Sequence, residues 1–120
     1  MSERFPDIEV YVLKPEINEI YTWLNANFKQ VEEKTSSAKS VLWLADGIEV
    51  LFTANSNKNF ASVWFKNNQT PWNNDLECGW SLHLALDKEV RCSNAAWQEN
   101  EEGAAWTKLI RGEEKALNWD

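Results

Sequence analysis

Two apolar segments flanking the dipeptide Asp46-Gly47 constrain the fold more than any other feature of the sequence. The segments read SVLWLA at 40–45 and IEVLFTA at 48–54. A two-residue type I′ turn needs positive φ at both central residues, which Asp tolerates and Gly adopts freely. The pattern therefore predicts a β-hairpin. With the alternating segment FASVWFK at 60–66, it predicts a three-stranded antiparallel meander.

Two helices and several further strands are predicted around this meander. The segment 8–13 has apolar residues on both faces, which is typical of a central strand. Pro15 suits the first position of a helix, and Asn74 followed by Glu77 predicts the N-cap and capping box of a second helix. Short strands are predicted at 30–34 and 89–93, and a last hairpin turns around Gly112. The apolar stripe of the first helix comprises Ile17, Ile20, Tyr21, Leu24 and Phe28.

The expected fold is α+β, with two helices packed on a mostly antiparallel sheet of about seven to eight strands. The chain has 120 residues and no break in composition, so we expect a single domain over 1–120. Each half contains a capped helix followed by strands and a hairpin. This order is compatible with a loose αβ duplication, but residue identity between the halves is poor and coincidence explains it equally well.

Charge and hydropathy exclude several functional classes. Twelve basic residues against nineteen acidic ones give a net charge of −7, which opposes approach to a phosphate backbone, so we expect no direct nucleic-acid binding. No apolar run reaches the length of a signal peptide or a membrane helix, so we expect no membrane span. The expected location is cytoplasmic, where Cys78 and Cys92 stay reduced rather than bridged.

The densest group of reactive side chains lies in the second predicted helix. Asp75, His83 and Asp87 share one i, i+4 row, so a carboxylate could orient the single imidazole of the chain. Cys78 lies about 140° from His83 around the helix, which argues against a Cys–His nucleophile pair. The cysteines lack CxxC spacing and no phosphate-binding glycine motif occurs. We therefore expect no metal and no cofactor, and catalysis is the less favoured function.

Eight tryptophans are the most unusual compositional feature. Because Trp is large and carries a polar N–H, we expect some of the eight to stay partly exposed and line a groove. The predicted groove lies between the start of the second helix, at Trp72, and Trp97 or Trp106; alternatively, Trp72 staples that helix start against the core. The predicted binding residues are Trp72, Asn73, Asn74, Asp75, His83, Trp97 and Trp106.

Three functional hypotheses follow. The favoured one is a non-catalytic protein-binding or accessory domain, which engages a partner with a basic surface through an acidic, Trp-bearing face. An alternative is a small-molecule-binding protein or enzyme with a Trp-lined pocket near His83, where His83 or Asp75 transfers protons. The third is a DNA mimic, whose carboxylates would follow one elongated face with the spacing of phosphates.

Overall fold

A computed structural model describes residues 7–93 and 106–117 of the chain. Within them lie two helices, α1 (Ile17–Asn27) and α2 (Asp75–Leu86). The strands are β1 (Ile8–Leu13), β2 (Val31–Ser36), β3 (Ser40–Ala45), β4 (Ile48–Asn57), β5 (Phe60–Phe65), β6 (Val90–Ser93), β7 (Trp106–Ile110) and β8 (Glu113–Leu117). The strands form one antiparallel sheet in the order β2-β3-β4-β5-β1-β6-β7-β8, which confirms the predicted α+β fold. Neither helix in these ranges is long and apolar enough to cross a membrane.

Strand β1 lies at the centre of the sheet, as its apolar residues predict. Ile8, Val10 and Val12 are fully buried on the face that carries the helices, and the residues between them point to the other face. The register places Val10 opposite Val63 of β5 on one side and Cys92 of β6 on the other. Strand β1 therefore joins the two halves of the sheet.

The hairpin at Asp46-Gly47 is confirmed. Both residues have positive φ, 50° for Asp46 and 88° for Gly47. The Asp46 carboxylate also accepts the backbone N–H groups of Lys29 and Gln30, at 3.1 and 2.8 Å. The turn residue thus holds the connection between α1 and β2, in addition to reversing the chain.

Helix α1 begins later than its proline predicts. Pro15 lies before the helix, Glu16 is the N-cap and Ile17 is the first helical residue. Oε1 of Glu19 accepts the backbone N–H of Glu16 at 2.9 Å, which satisfies one donor at the helix start. Pro15 is therefore not the first helical residue, and a glutamate side chain bonds the helix start.

The buried stripe of α1 is rotated relative to the predicted one. Ile20 and Leu24 are fully buried, but Ile17 and Tyr21 are 46% and 40% exposed. Trp23, which lies beside the predicted stripe, is buried instead. The rotation turns the indole of Trp23 toward α2.

Helix α2 begins where the capping signal predicts. The Asn74 side chain accepts the N–H of Glu77 at 2.9 Å, and Oε1 of Glu77 accepts the N–H of Asn73 at 2.9 Å. Gly79 allows the helix to lie close to the sheet, because a Cβ added there would be 3.3 Å from Cδ1 of Leu109. The glycine therefore has a packing role that offsets its low helix propensity.

The two halves of the chain share an element order but not a spatial order. Each reads strand, helix and three strands, β1-α1-β2-β3-β4 and β5-α2-β6-β7-β8. After α1 the chain enters the sheet at its edge and returns toward the centre. After α2 it enters beside β1 and runs outward to β8. The halves therefore do not form one repeated spatial unit.

Candidate functional site

Trp72, the first residue of the predicted groove, belongs to the core. Its side chain is 7% exposed, and its indole stacks on Trp23 with ring centroids 5.3 Å apart and planes inclined by 10°. The edges of Phe28 and Phe65 meet the same ring at centroid distances of 5.9 and 5.6 Å. Trp72 therefore fixes the start of α2 against the core, which is the alternative role that its position before the helix allowed.

The polar residues predicted beside Trp72 bond to the chain itself. Asn74 caps α2, and the N–H of Asn73 is bound by Glu77. Asp75 is buried, and its Oδ1 accepts the backbone N–H of Glu9 at 3.1 Å. These contacts join the start of α2 to β1, so the helix start acts as an anchor for the sheet.

His83 is 3% exposed, and both of its ring nitrogens are occupied. Nδ1 lies 2.7 Å from the carbonyl oxygen of Lys88, which can only accept, so Nδ1 carries the proton. Nε2 accepts the backbone N–H of Gly112 at 3.0 Å. The group that orients the imidazole is thus the Lys88 carbonyl, and not Asp75 or Asp87 as the helical spacing predicts.

Trp106 lies on the opposite face of the sheet from Trp72. Its ring meets that of Tyr11 edge-on, with centroids 5.6 Å apart. Tyr11 alternates with the buried valines of β1 and so points away from the helices. The structure therefore does not bring Trp72 and Trp106 together. Trp97 lies outside the described residues.

The two cysteines are free and fully buried. Burial, together with the negative charge of Asp75, raises the pKa of the Cys92 thiol to about 12. Burial likewise raises the pKa of Cys78 well above its ordinary value. Thiols in this state are poor nucleophiles and poor metal ligands at neutral pH. Within 7–93 and 106–117, no group of three or more His, Cys, Asp and Glu side chains could hold a metal ion.

The sheet face away from the helices carries an apolar surface that the sequence pattern did not predict. Leu42 of β3 lies opposite Leu51 of β4, and Leu51 lies opposite Trp64 of β5, so the three form one cross-strand row. Leu44 is the next residue of β3 on the same face. All four are partly exposed. We call this surface, formed by Leu42, Leu44, Leu51 and Trp64, the leucine–tryptophan patch.

Carboxylates border the leucine–tryptophan patch. Leu44 lies between Glu32 of β2 and Glu49 of β4, and Glu9 of β1 lies opposite Trp64. A further carboxylate, that of Asp7, accepts the indole N–H of Trp64 at 2.8 Å. A basic side chain is also present, since Nζ of Lys66 lies 3.9 Å from Glu49 and 5.4 Å from the centroid of the Trp64 ring. The border is thus predominantly acidic.

Glu9, like Asp7, is partly buried, whereas Glu32 and Glu49 are exposed. Its Oε2 accepts the hydroxyl of Ser62 at 2.9 Å and that of Tyr11 at 3.4 Å. Burial, and then the negative charge of Glu9, raises the pKa of Tyr11. In the part of the chain that the structure describes, no basic side chain forms an ion pair with Glu9.

A groove separates α1 from α2 on the other side of the molecule. Its volume is about 410 Å³, and its walls include Thr22 and Ala26 of α1 and Ala85 of α2. Trp23 also lines the groove, and its indole N–H donates to Oγ of Ser81 at 3.0 Å, which ties the two helices together. The groove is therefore distinct from the pocket predicted near His83.

Comparisons of the chain with family models, with curated proteins and with solved structures found no match.

Proposed function

We propose that the chain is a non-catalytic binding domain that engages a protein partner through the leucine–tryptophan patch. The observation that carries this proposal is the row in which Leu42, Leu51 and Trp64 stand side by side on the sheet face opposite both helices. An apolar centre that contains a tryptophan and has a polar rim is the usual composition of a protein interface. The partner has an apolar centre with basic side chains around it.

A different protein suits this surface better than a second copy of the chain. The net charge is −7, and two copies placed face to face would bring Glu32, Glu49 and Glu9 close to the same carboxylates of the other copy. Such like-charge contacts oppose association, whereas a basic rim is attracted and steered toward the acidic border. The carboxylates surround leucines and do not follow one another in a line, which favours a protein partner over DNA mimicry.

The state of the titratable groups supports binding over catalysis. The imidazole of His83 bonds to two backbone groups, and the pKa values of both thiols are raised by burial. These side chains stabilise the fold in their present contacts and are not presented to a ligand. Free, buried cysteines also suit a cytoplasmic location, where thiols stay reduced.

The proposal is tested by placing one charge on each of two surfaces. Leu51→Asp puts a carboxylate in the leucine–tryptophan patch, and Leu84→Asp makes the same change on α2, where Leu84 is 69% exposed. Wild type and both variants serve as bait in lysate of the source cells, and captured proteins are quantified by mass spectrometry. Candidates are then purified and their affinities measured by calorimetry. We expect Leu51→Asp to weaken binding of the true partner by at least about tenfold, and Leu84→Asp to leave it unchanged.

Two controls keep the result interpretable. Circular dichroism and urea unfolding show whether Leu51→Asp folds, and Leu51→Thr provides a milder variant with high β propensity. A purified partner that binds Leu51→Asp as tightly as wild type would contradict the proposal. Self-association that Leu51→Asp abolishes, measured by analytical ultracentrifugation, would replace the partner by a second copy.

The groove between α1 and α2 favours small-molecule binding as a second candidate function. Its volume of about 410 Å³ falls within the range of known ligand pockets, about 300–1,000 Å³. A fragment screen by ¹⁵N–¹H NMR would identify ligands whose signals map to Thr22, Ala26 and Ala85. Ala85→Leu fills the groove and should abolish such binding, while Leu84→Ala should not. Ligands that bind both variants equally would exclude the groove.

A further inference from the structure

We propose that Glu9 and Trp64 together accept an arginine side chain of the protein partner. This inference rests on the proposed function and names the chemistry at one end of the interface. Glu9 and Trp64 are direct cross-strand partners in β1 and β5 and point to the same face of the sheet. Side chains paired in this way have Cβ atoms about 4.5–5.5 Å apart, so one guanidinium group can contact both.

The hydrogen bonds of Glu9 leave half of its carboxylate available. Oε2 accepts the hydroxyls of Ser62 and Tyr11, which hold the group in one orientation. Oε1 has no hydrogen-bond donor among the described residues, and Glu9 forms no ion pair there. A partly buried carboxylate without a cation bears a desolvation cost, and a charge-assisted hydrogen bond from a partner offsets that cost.

The indole of Trp64 is held in place and already attracts a cation. Its N–H donates to Oδ2 of Asp7 at 2.8 Å, which fixes the ring beside Glu9. Nζ of Lys66 lies 5.4 Å from the ring centroid, a distance within the range of cation–π contacts. The Lys66 side chain is 36% exposed, so a stronger cation can displace it. The ring is therefore suited to a positive group from outside.

Arginine fits this pair better than lysine. The guanidinium group is planar, stacks on aromatic rings and donates hydrogen bonds within its own plane, so it can cover Trp64 while it bonds to Oε1 of Glu9. An ammonium group is compact and strongly hydrated, and cannot stack in this way. Arginine is also enriched among the residues that dominate interface energies.

The geometry of the row predicts the spacing of the partner residues. Neighbouring strands are about 4.8 Å apart, so Leu51 and Leu42 lie about 7 and 12 Å from the midpoint between Glu9 and Trp64. In an extended segment, side chains on one face are about 6.8 Å apart. A segment that crosses the strands with its arginine at the Glu9–Trp64 pair thus places the second and fourth side chains from the arginine over Leu51 and Leu42, in either chain direction. The order apolar, any, apolar, any, arginine meets this spacing.

The test uses three blocked peptides with the sequence Leu-Ser-Leu-Ser-X, in which X is arginine, lysine or citrulline. Citrulline has nearly the shape of arginine but no charge. Binding is followed by ¹⁵N–¹H NMR through the indole N–H of Trp64 and the amides of Glu9 and Leu51. Wild type is compared with Glu9→Gln, and with Glu32→Gln as the matched control, because Glu32 supplies the same charge to the same border and, unlike Glu49, is not paired with Lys66.

We expect wild type to bind the arginine peptide about tenfold more tightly than the citrulline peptide, with lysine between them. Glu9→Gln should reduce this ratio to near one, and Glu32→Gln should preserve it. A matching loss in both variants would mean general electrostatic attraction and would overturn the arginine site. Thermal unfolding of Glu9→Gln shows whether the variant retains its fold, since glutamine still accepts the two hydroxyls.

The remaining outcomes separate this inference from the proposed function. Equal binding of all three peptides with shifts at Leu51 and Trp64 would overturn the arginine site and leave the leucine–tryptophan patch as the interface. No shift at Glu9 and Trp64 with millimolar arginine peptide would also overturn the arginine site. The proposed function is judged separately, by capture with Leu51→Asp and Leu84→Asp.

Discussion

The backbone N–H of Gly112 donates a hydrogen bond to Nε2 of His83 over 3.0 Å. The other ring nitrogen donates to the carbonyl of Lys88 at 2.7 Å. One buried imidazole thereby joins the end of α2 to the turn between β7 and β8. Trp80 adds a second link, because its indole N–H donates to Glu114 of β8 at 3.1 Å. Helix α2 is thus joined to the β7–β8 hairpin through two side chains, His83 and Trp80.

Replacing this imidazole should destabilise the protein. His83→Leu leaves the N–H of Gly112 and the carbonyl of Lys88 without their partners, which we expect to lower the free energy of unfolding by about 1–3 kcal/mol. Urea unfolding measures the change. Leu84→Ala, on the exposed side of the same helix, should change it by no more than about 0.5 kcal/mol. If His83→Leu were as stable as wild type, the two hydrogen bonds would contribute nothing net.

Trp72 should behave as a core residue. Trp72→Ala removes the ring that stacks on Trp23, and we expect a loss of about 3–5 kcal/mol in the free energy of unfolding. Ile17→Ala, at a largely exposed position of α1, serves as the control. Unfolding by guanidinium chloride at several protein concentrations would measure both. Unchanged stability in Trp72→Ala would contradict a core role and would make Trp72 a candidate surface binding residue again.

Gly79 should tolerate one added carbon but not three. Gly79→Ala gains about 1 kcal/mol in helix propensity, and its Cβ meets side-chain atoms at 3.3–3.5 Å, so we expect the two effects largely to cancel. Gly79→Val adds two more carbons to the same space and should cost about 1–3 kcal/mol. Thermal unfolding compares the two variants. Equal stability would show that α2 and the sheet can separate at little cost.

The effect of a substitution at Gly47 should depend on the backbone conformation of this residue alone. Its φ is 88°, and no atom lies within 4 Å of an added Cβ, so Gly47→Val suffers conformational strain without a steric clash. We expect a loss of about 1–2 kcal/mol. Gly47→Asn should lose less, because asparagine adopts positive φ more readily. An unchanged urea midpoint in Gly47→Val would show that the hairpin accepts another turn type.

The buried thiol of Cys92 predicts a loss of stability at alkaline pH. Its pKa is about 12 in the folded chain, against an ordinary value of 9.0. Below the lower value both states hold the proton, so the contribution to stability is constant. Between these two pKa values only the unfolded chain loses the thiol proton. The free energy of unfolding therefore falls by about 1.4 kcal/mol for each pH unit in this range. Urea unfolding between about pH 8 and pH 11 should give a shallower decline for Cys92→Ala, and parallel curves would contradict the assignment.

The features that follow local rules are predictable from the sequence. The Asp46-Gly47 turn depends on the φ preferences of two adjacent residues, and the Asn74 cap depends on a donor three residues away. Both appear where the pattern indicates. The central place of β1 is also predictable. Apolar residues on both faces of a strand indicate that both faces are covered, which is typical of a strand inside a sheet.

The features that depend on distant residues are not predictable in the same way. Trp23 turns toward α2 because its indole N–H bonds to Ser81, 58 residues away. The imidazole of His83 is fixed by Gly112, 29 residues away, while the helical spacing points only to nearby carboxylates. Periodicity within one element cannot reveal these partners.

The leucine–tryptophan patch is only partly predictable from the sequence. The alternation in FASVWFK separates Trp64 from Val63 and Phe65, so the sequence does show that Trp64 faces the other way. It does not show that Leu51 and Leu42 stand next to Trp64, because that depends on the register of three strands. The sequence predicted a site at Trp72 instead, because a helix start can be recognised from neighbouring residues alone.

The position of β1 at the centre of the sheet has a consequence for how the chain folds. Its pairing partners are β5, at 60–65, and β6, at 90–93, whereas β2 to β5 are joined by short local connections. Local contacts form faster than contacts between distant segments, since they cost less loop-closure entropy. The meander from β2 to β5 should therefore assemble before β1 inserts beside β5. During synthesis on the ribosome, β1 must wait for this partner until residues 60–65 have emerged.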